Sequence, residues 1–367
     1  MGILCVGRCA GARASTGGGL FGLDFAGLAV EATHATLRGL HFTMPVSSSA
    51  HPQHARAVGM LLVANFFWGL SFPLIKALLL LSARLVPEAG PWFLAVYTVA
   101  PRFLLAAAVL VALRPRSFWR VTTGELKQGG VIGLFAAAGL LLQNDALQFT
   151  SASTSAFLTQ LYAILIPVYV ALRAWRNPGW AVWFSCGLVL AGVALLGNFN
   201  WKEFTLGRGE WETLLSSVFF MGQILWLEKK EFAANRAFEL TLAMFVTEAV
   251  VFCALAGALT PNGHALVVPW TSGPWLGLTG MLVLLCTLGA YGIMNAWQPK
   301  ISATEAGLIY CVEPLFGSAL ALFLPALFST WAAINYPNET ATWTLLVGGG
   351  LITAANLLIQ MKPPQKT

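Results

Sequence analysis

The chain has 367 residues, of which 57% are hydrophobic and 10% charged, with a mean hydropathy of +0.72. Soluble domains carry about 25% charged residues, so this chain cannot cover a water-facing surface and needs a bilayer as its main solvent. The net charge of +6 comes from basic residues scattered through short loops, a pattern of membrane orientation rather than of a nucleic-acid-binding patch.

Residues 1–57 are rich in Gly, Ala and Ser, as in GARASTGGG, and their apolar stretch FGLDFAGLAV is broken by Asp24. A secretory signal wants an earlier positive charge and a clean apolar core. The start MGILCV lacks the Ser or Thr of a myristoylation signal. This segment is expected to be a disordered cytoplasmic tail, with Met44 and Met60 as alternative starts.

Ten stretches near the roughly 20 residues that cross a bilayer follow: 58–81, 92–113, 129–149, 153–172, 179–197, 211–229, 238–259, 274–297, 303–327 and 342–361. The expected fold is an all-α membrane protein. Lys and Arg set the orientation. With the first span starting in the cytoplasm, thirteen basic residues fall inside, from Arg56 and Arg114 to Lys362 and Lys366, against three outside, Arg84, Lys202 and Arg208. Both termini are therefore expected in the cytoplasm.

Two segments recur. LLVANFFWGLSFPLIK (61–76) matches LLSSVFFMGQILWLEK (214–229) at seven of sixteen positions, including Phe66/Phe219, Phe67/Phe220, Gly69/Gly222 and Lys76/Lys229. At an offset of 150, residues 146–172 align with 296–322 through Gln148/Gln298, Thr154/Thr304 and Ala156/Ala306. The spans then divide into two five-helix repeats, 58–197 and 211–361. Because five is odd, the second repeat enters from the opposite face. Inverted repeats place a ligand site near midplane at the repeat interface and alternate access by rocking.

The residues FFWGLSFPLIK, PRFLLAAAVLVAL (101–113), TSASTSAFL (150–158) and ISATEAGLIYCVEPLFGSALA (301–321) together resemble the EamA-type members of the drug/metabolite transporter superfamily. The resemblance covers roughly residues 58–361. It implies ten helices in two inverted five-helix repeats and export of small metabolites or amino acids. The N-terminal tail and the long first outer loop, 82–91, depart from the compact family pattern.

Ionisable groups at bilayer depth are expensive and mark candidate sites. Glu313 lies about 15 Å into the ninth span, too deep to snorkel. Pro314 beside it removes a backbone N–H. Glu248 and Arg102 lie at similar depth. Glu313 and Glu248 are candidates for proton coupling, and Arg102 either meets substrate or pairs with a carboxylate. Asp145 and Glu305 fall near span ends and are expected to be solvated. Trp68, Phe72 and Lys76 form one helical stripe, beside Ser71, on a helix expected to bend at Pro73 and line the cavity. Lys76 is expected to snorkel to the outer rim.

Gln143, Asn144, Tyr162, Gln223, Trp226, Tyr291, Asn295 and Tyr310 are the remaining candidates to line the cavity and orient a substrate. For each, an interhelical hydrogen bond is the alternative. Asn338-Glu339-Thr340 matches a glycosylation sequon and is given no role.

Cys5 and Cys9 lack partners for a zinc site, and Cys186, Cys253, Cys286 and Cys311 sit in apolar runs, so neither a metal nor another cofactor is expected. There is no GxxxxGK[ST] phosphate loop, and no His lies inside a span. The expected function is a secondary transporter of small organic metabolites, and not an enzyme. A sugar-nucleotide-type carrier is the alternative, ahead of a multi-span enzyme acting on lipids. The expected partners are a small-molecule substrate and the lipid bilayer, without nucleic acid. The oligomeric state is open, a homodimer included.

Overall fold

The computed structural model describes residues 52–173, 175, 180–196, 206–301 and 303–360. The expected tail, up to residue 51, lies outside the described residues, as do residues 176–179 and the side chain of Glu305.

All regular structure among the described residues is helical. Helix α1, Pro52–Leu85, runs unbroken through Pro73. It starts before position 58, so residues 52–57 belong to the helical body, with Ala57 fully buried. Helix α2, Pro91–Leu113, opens with a proline in its first turn, where the missing N–H would be unpaired anyway. Helix α3, Thr123–Ala146, starts from a capping box in which Thr122 and Glu125 bond each other's backbone N–H.

The fourth apolar stretch is two helices. Helix α4, Ala152–Thr159, is capped by Ser151, and α5, Tyr162–Arg173, follows after a break at Gln160 and Leu161. Then come α6, Trp180–Leu196, α7, Arg208–Leu227, and α8, Ala237–Leu259. Helix α9, Gly273–Lys300, contains a π-helical segment at Leu282–Gly289.

The ninth stretch departs from the expected continuous span 303–327. It is three pieces: α10, Ala303–Tyr310, α11, Glu313–Ala321, and α12, Leu324–Ala332, with a 54° bend between the last two. Glu313 therefore opens a helix instead of sitting inside one. Pro314 and Pro325 both fall in first turns, where proline starts a helix more easily than it continues one. Helix α13, Trp343–Gln360, closes the chain.

Among the described residues, six helices, α4 and α5 counted as one, are long and apolar enough to cross a membrane, and the bent pair α11–α12 makes up to a seventh. The apolar parts of α6 and α13, Val182–Leu196 and Trp343–Leu358, are shorter. Helix α7 carries Arg208, Glu210 and Glu212 at its start. The chain is an all-α, multi-pass membrane protein.

Helix α1 runs through the middle of the packing, against α9 and α11, while α3 lies on α7 and α8, and α2 on α8. Helices α6 and α13 pair around a separate apolar cluster of Val189, Val193, Leu196, Ile352 and Ala355. Water does not drive helix association inside lipid, so close approach of small residues matters more. One such close approach is at Gly69 on α1, where a Cβ would lie 2.7 Å from the Phe316 Cβ and 2.8 Å from the Gly317 nitrogen.

Candidate functional site

The chain breaks in α4–α5 and α10–α11 face each other across the centre of the helical body. Gln160, at the first break, donates from Nε2 to a Glu313 carboxylate oxygen at 3.2 Å. The other side of the second break is held by α1: the Asn65 amide donates to the Ile309 carbonyl at 3.0 Å. Broken helices free backbone groups for recognition, and such breaks persist in a membrane only where protein or a cavity covers them.

A cavity of about 60 Å³ adjoins the breaks, room for about four waters. Its aromatic wall is Trp68, Phe72, Tyr291 and Tyr310. The Trp68 ring meets those of Tyr291 and Tyr310 edge-on, at centroid distances of 5.4 and 5.5 Å. Its polar wall is Ser71, Gln143, Tyr162, Gln223 and Glu313, with Arg102 as its cation. Two donors there, Trp68 Nε1 and Gln223 Nε2, are buried without a protein partner. Such groups cost about 1–3 kcal/mol each when left unpaired, so both are free to bind a ligand.

Arg102 is held by α9. Its Nε donates to the Thr287 hydroxyl, and one terminal nitrogen donates to the Cys286 carbonyl at 3.0 Å. Thr287 in turn donates to the Leu282 carbonyl, five residues back, at 2.8 Å. The π-register supplies these acceptors, and π-segments concentrate at functional sites.

Ten of the fourteen candidate cavity residues thus surround one space, and four stand elsewhere. Lys76 donates to the Thr150 carbonyl and faces a second cavity of about 590 Å³, toward the end of α1. Asn144 donates back to the Leu140 carbonyl of its own helix at 2.7 Å. Trp226 carries the Lys229 ammonium over its ring at 3.3 Å. Asn295 ties α9 to the Thr241 hydroxyl of α8 at 3.0 Å.

Glu248 does not line the cavity: it is fully buried, and neither carboxylate oxygen has a hydrogen-bond partner. Asp145 is not solvated as expected. Its side chain is fully buried and ion-paired with Arg208, whose guanidinium lies over the rings of Trp92 and Phe149.

Sequence reasoning missed Leu140, Thr159, Phe220, Ile224 and Met294 in the cavity wall. It missed Gln160, though the polar pair Thr159-Gln160 in an apolar span was a usable signal. It also missed Glu339, which accepts from the Ala152 backbone N–H at 2.8 Å at the start of α4 and lines the larger cavity with Lys76.

These features define a multi-pass helical membrane protein built around a small cavity that carries one cation and one carboxylate. The model of the EamA-like transporter family matches residues 55–198. That match bears out the resemblance drawn from the motifs, to EamA-type proteins of the drug/metabolite transporter superfamily, and the family implies a membrane transporter. A protein of known crystal structure shares the fold, with a TM-score of 0.52 at 16% identity over 83% of this chain and 96% of its own. No curated protein matches the sequence.

Proposed function

We infer that the protein is a ten-span secondary transporter of two inverted five-helix repeats, exporting small zwitterionic metabolites such as amino acids across the cytoplasmic membrane by alternating access. The observation that carries the substrate class is the cavity itself. Arg102 offers a partner for a carboxylate and Glu313 one for an ammonium, between aromatic walls. A sugar-nucleotide carrier would need several cations for its phosphates. Lys76, the second candidate, faces the outer cavity instead.

Packing supports the repeat. Gly139 on α3 lies under the ring of Phe220 on α7, where a Cβ would sit 2.7 Å away. Gly289 on α9 lies under the ring of Phe67 on α1, where a Cβ would sit 3.3 Å away. Gly139 and Gly289 are 150 residues apart, and Phe67 and Phe220 are 153 apart, the same two offsets at which the sequence recurs. An exchange of the two halves therefore maps one contact onto the other. The excess of Lys and Arg in the inside loops supports cytoplasmic termini.

A cavity of about 60 Å³ is too small for an amino acid, so transport requires the two halves to part on one side at a time. Glu313, and Glu248 behind the cavity, are the groups through which protons couple to this motion. The test is flux of the individual amino acids in proteoliposomes, with and without a pH gradient, wild type beside Glu313→Gln. Gradient-driven flux that the variant loses is the expected result. Flux that survives the substitution at every pH makes Glu313 structural and the protein a facilitator. Absence of flux for every amino acid overturns the substrate class.

A further inference from the structure

Helices α2 and α8 are each 23 residues long and pack along one another. They run antiparallel, because Arg114, just past the end of α2, lies over the ring of Phe238 in the first turn of α8. Arg102 is the twelfth residue of α2 and Glu248 the twelfth of α8. In antiparallel helices of equal length the central residues stand level. The two are within electrostatic reach of each other, and the Tyr291 phenol is within reach of both and of Glu313.

Despite this, they are not joined. Arg102 is committed to Thr287 and Cys286 on α9, while both Glu248 oxygens are without a partner in a fully buried position. A carboxylate cannot stay ionised in such a place without a donor or a counter-charge. Among the described residues, Arg102 is the cation placed to supply it. The other groups facing Glu248 are Tyr291 and, next to Arg102, the Cys286 thiol, both on α9. Helix α3 packs its glycines Gly129 and Gly133 on α8. Its own titratable residues, Glu125, Lys127 and Asp145, stand at its two ends. The turn Pro115–Phe118 brings only Arg114 and Arg116 near the start of α8.

We propose that Arg102 has two seats, the π-segment of α9 and the Glu248 carboxylate, and that Glu248 is a positioning residue whose ionisation moves the ligand-facing guanidinium between them. This deepens the reading of the cavity given above and rests on it for its role in transport. When Glu248 carries its proton, Arg102 stays on Thr287 and Cys286, as seen. When the proton leaves, the guanidinium swings to α8 and its contact with a ligand carboxylate is withdrawn. The Leu282–Gly289 segment then loses the donor that holds Thr287.

The test needs no substrate, so its failure is distinct from failure of the transport assay. Infrared spectra of the full-length protein in lipid are recorded across a pH titration, with arginine isotopically labelled. The band that disappears in Arg102→Lys identifies Arg102, and the carboxyl band that disappears in Glu248→Gln identifies Glu248. The expected result is that the Arg102 band shifts with the same midpoint as loss of the Glu248 carboxyl band, and that Glu248→Gln abolishes the shift. Thr287→Val, which keeps the side-chain shape, is expected to leave more of Arg102 in its high-pH position throughout the titration. An Arg102 band that ignores pH in the wild type, or shifts unchanged in Glu248→Gln, overturns the proposal. Should the Gln variant not fold, an Arg102 band unmoved by Thr287→Val overturns it as well.

Discussion

The two interrupted stretches occupy matching places in the chain but carry different chemistry. The first breaks at Gln160–Leu161 and the second at Cys311–Val312, 151 residues later. The first break is neutral, and its Gln160 serves as a donor. The second puts a carboxylate, Glu313, in the first turn of α11, where the N-terminal end of the helix dipole favours a negative charge. The backbone opens at comparable positions, while the side chains differ: a neutral donor stands at the first opening and a carboxyl group at the second.

The largest effect expected from breaking this comparison lies behind the second interruption. Gly69→Ala forces a Cβ against the Gly317 backbone, which cannot turn aside. Overpacking of that kind costs about 3 kcal/mol. Gly222, aligned with it at the 153-residue offset, first meets the ring of Phe135, a side chain and not backbone, so Gly222→Ala is expected to cost about 1 kcal/mol. Melting of both variants in detergent checks the ranking; equal losses would mean that the two sites are packed alike.

Next comes the charge itself. Glu313→Gln keeps the shape beside Gln160 but removes the titratable carboxyl group, and flux is expected to fall about tenfold to a hundredfold. Gln160→Met removes the neutral partner and is expected to lower flux only several-fold, about 1 kcal/mol. Comparable losses in the two variants would erase the distinction between positioning and charge.

A smaller effect is expected at the brace. Asn65→Ala releases the Ile309 carbonyl and is expected to destabilise by about 1–2 kcal/mol, read by the same melting assay. The smallest is Pro314→Ala. The proline sits where no backbone donor is missed, so stability is expected to change by less than about 1 kcal/mol and the break to persist. A continuous helix through 311–312 in that variant would show that the proline alone sets the interruption.

Much of the cavity was legible in the sequence. An aromatic stripe on α1 and lone polar residues in apolar spans are signals that burial in lipid makes conspicuous, which is why Trp68, Arg102, Gln143, Gln223 and Glu313 could be named. The outliers failed for a physical reason. The amide nitrogens of Asn144 and Asn295 donate to a neighbouring carbonyl and hydroxyl, and their spacing cannot distinguish that from facing a cavity. Asp145 looked solvated because it lies near a span end, but Arg208, 63 residues away in the chain, covers it. Apolar wall residues such as Leu140 and Met294 resemble every other core residue in composition.

The π-segment had no signature at all. LVLLCTLG reads as ordinary helix, since the choice between four- and five-residue hydrogen bonding is made by tertiary contacts. Its consequence is one of angular bookkeeping. Each residue of an α-helix turns about 100°, and a π-bulge accommodates one residue more than the regular winding does. Everything beyond Gly289 therefore points about a quarter-turn or more away from where uninterrupted winding would aim it. Tyr291 and Met294 reach the cavity by virtue of that offset, and the guanidinium bonded to Thr287 and Cys286 fastens it. Arg102 is thus the bond that ties this offset wall of the cavity to α2.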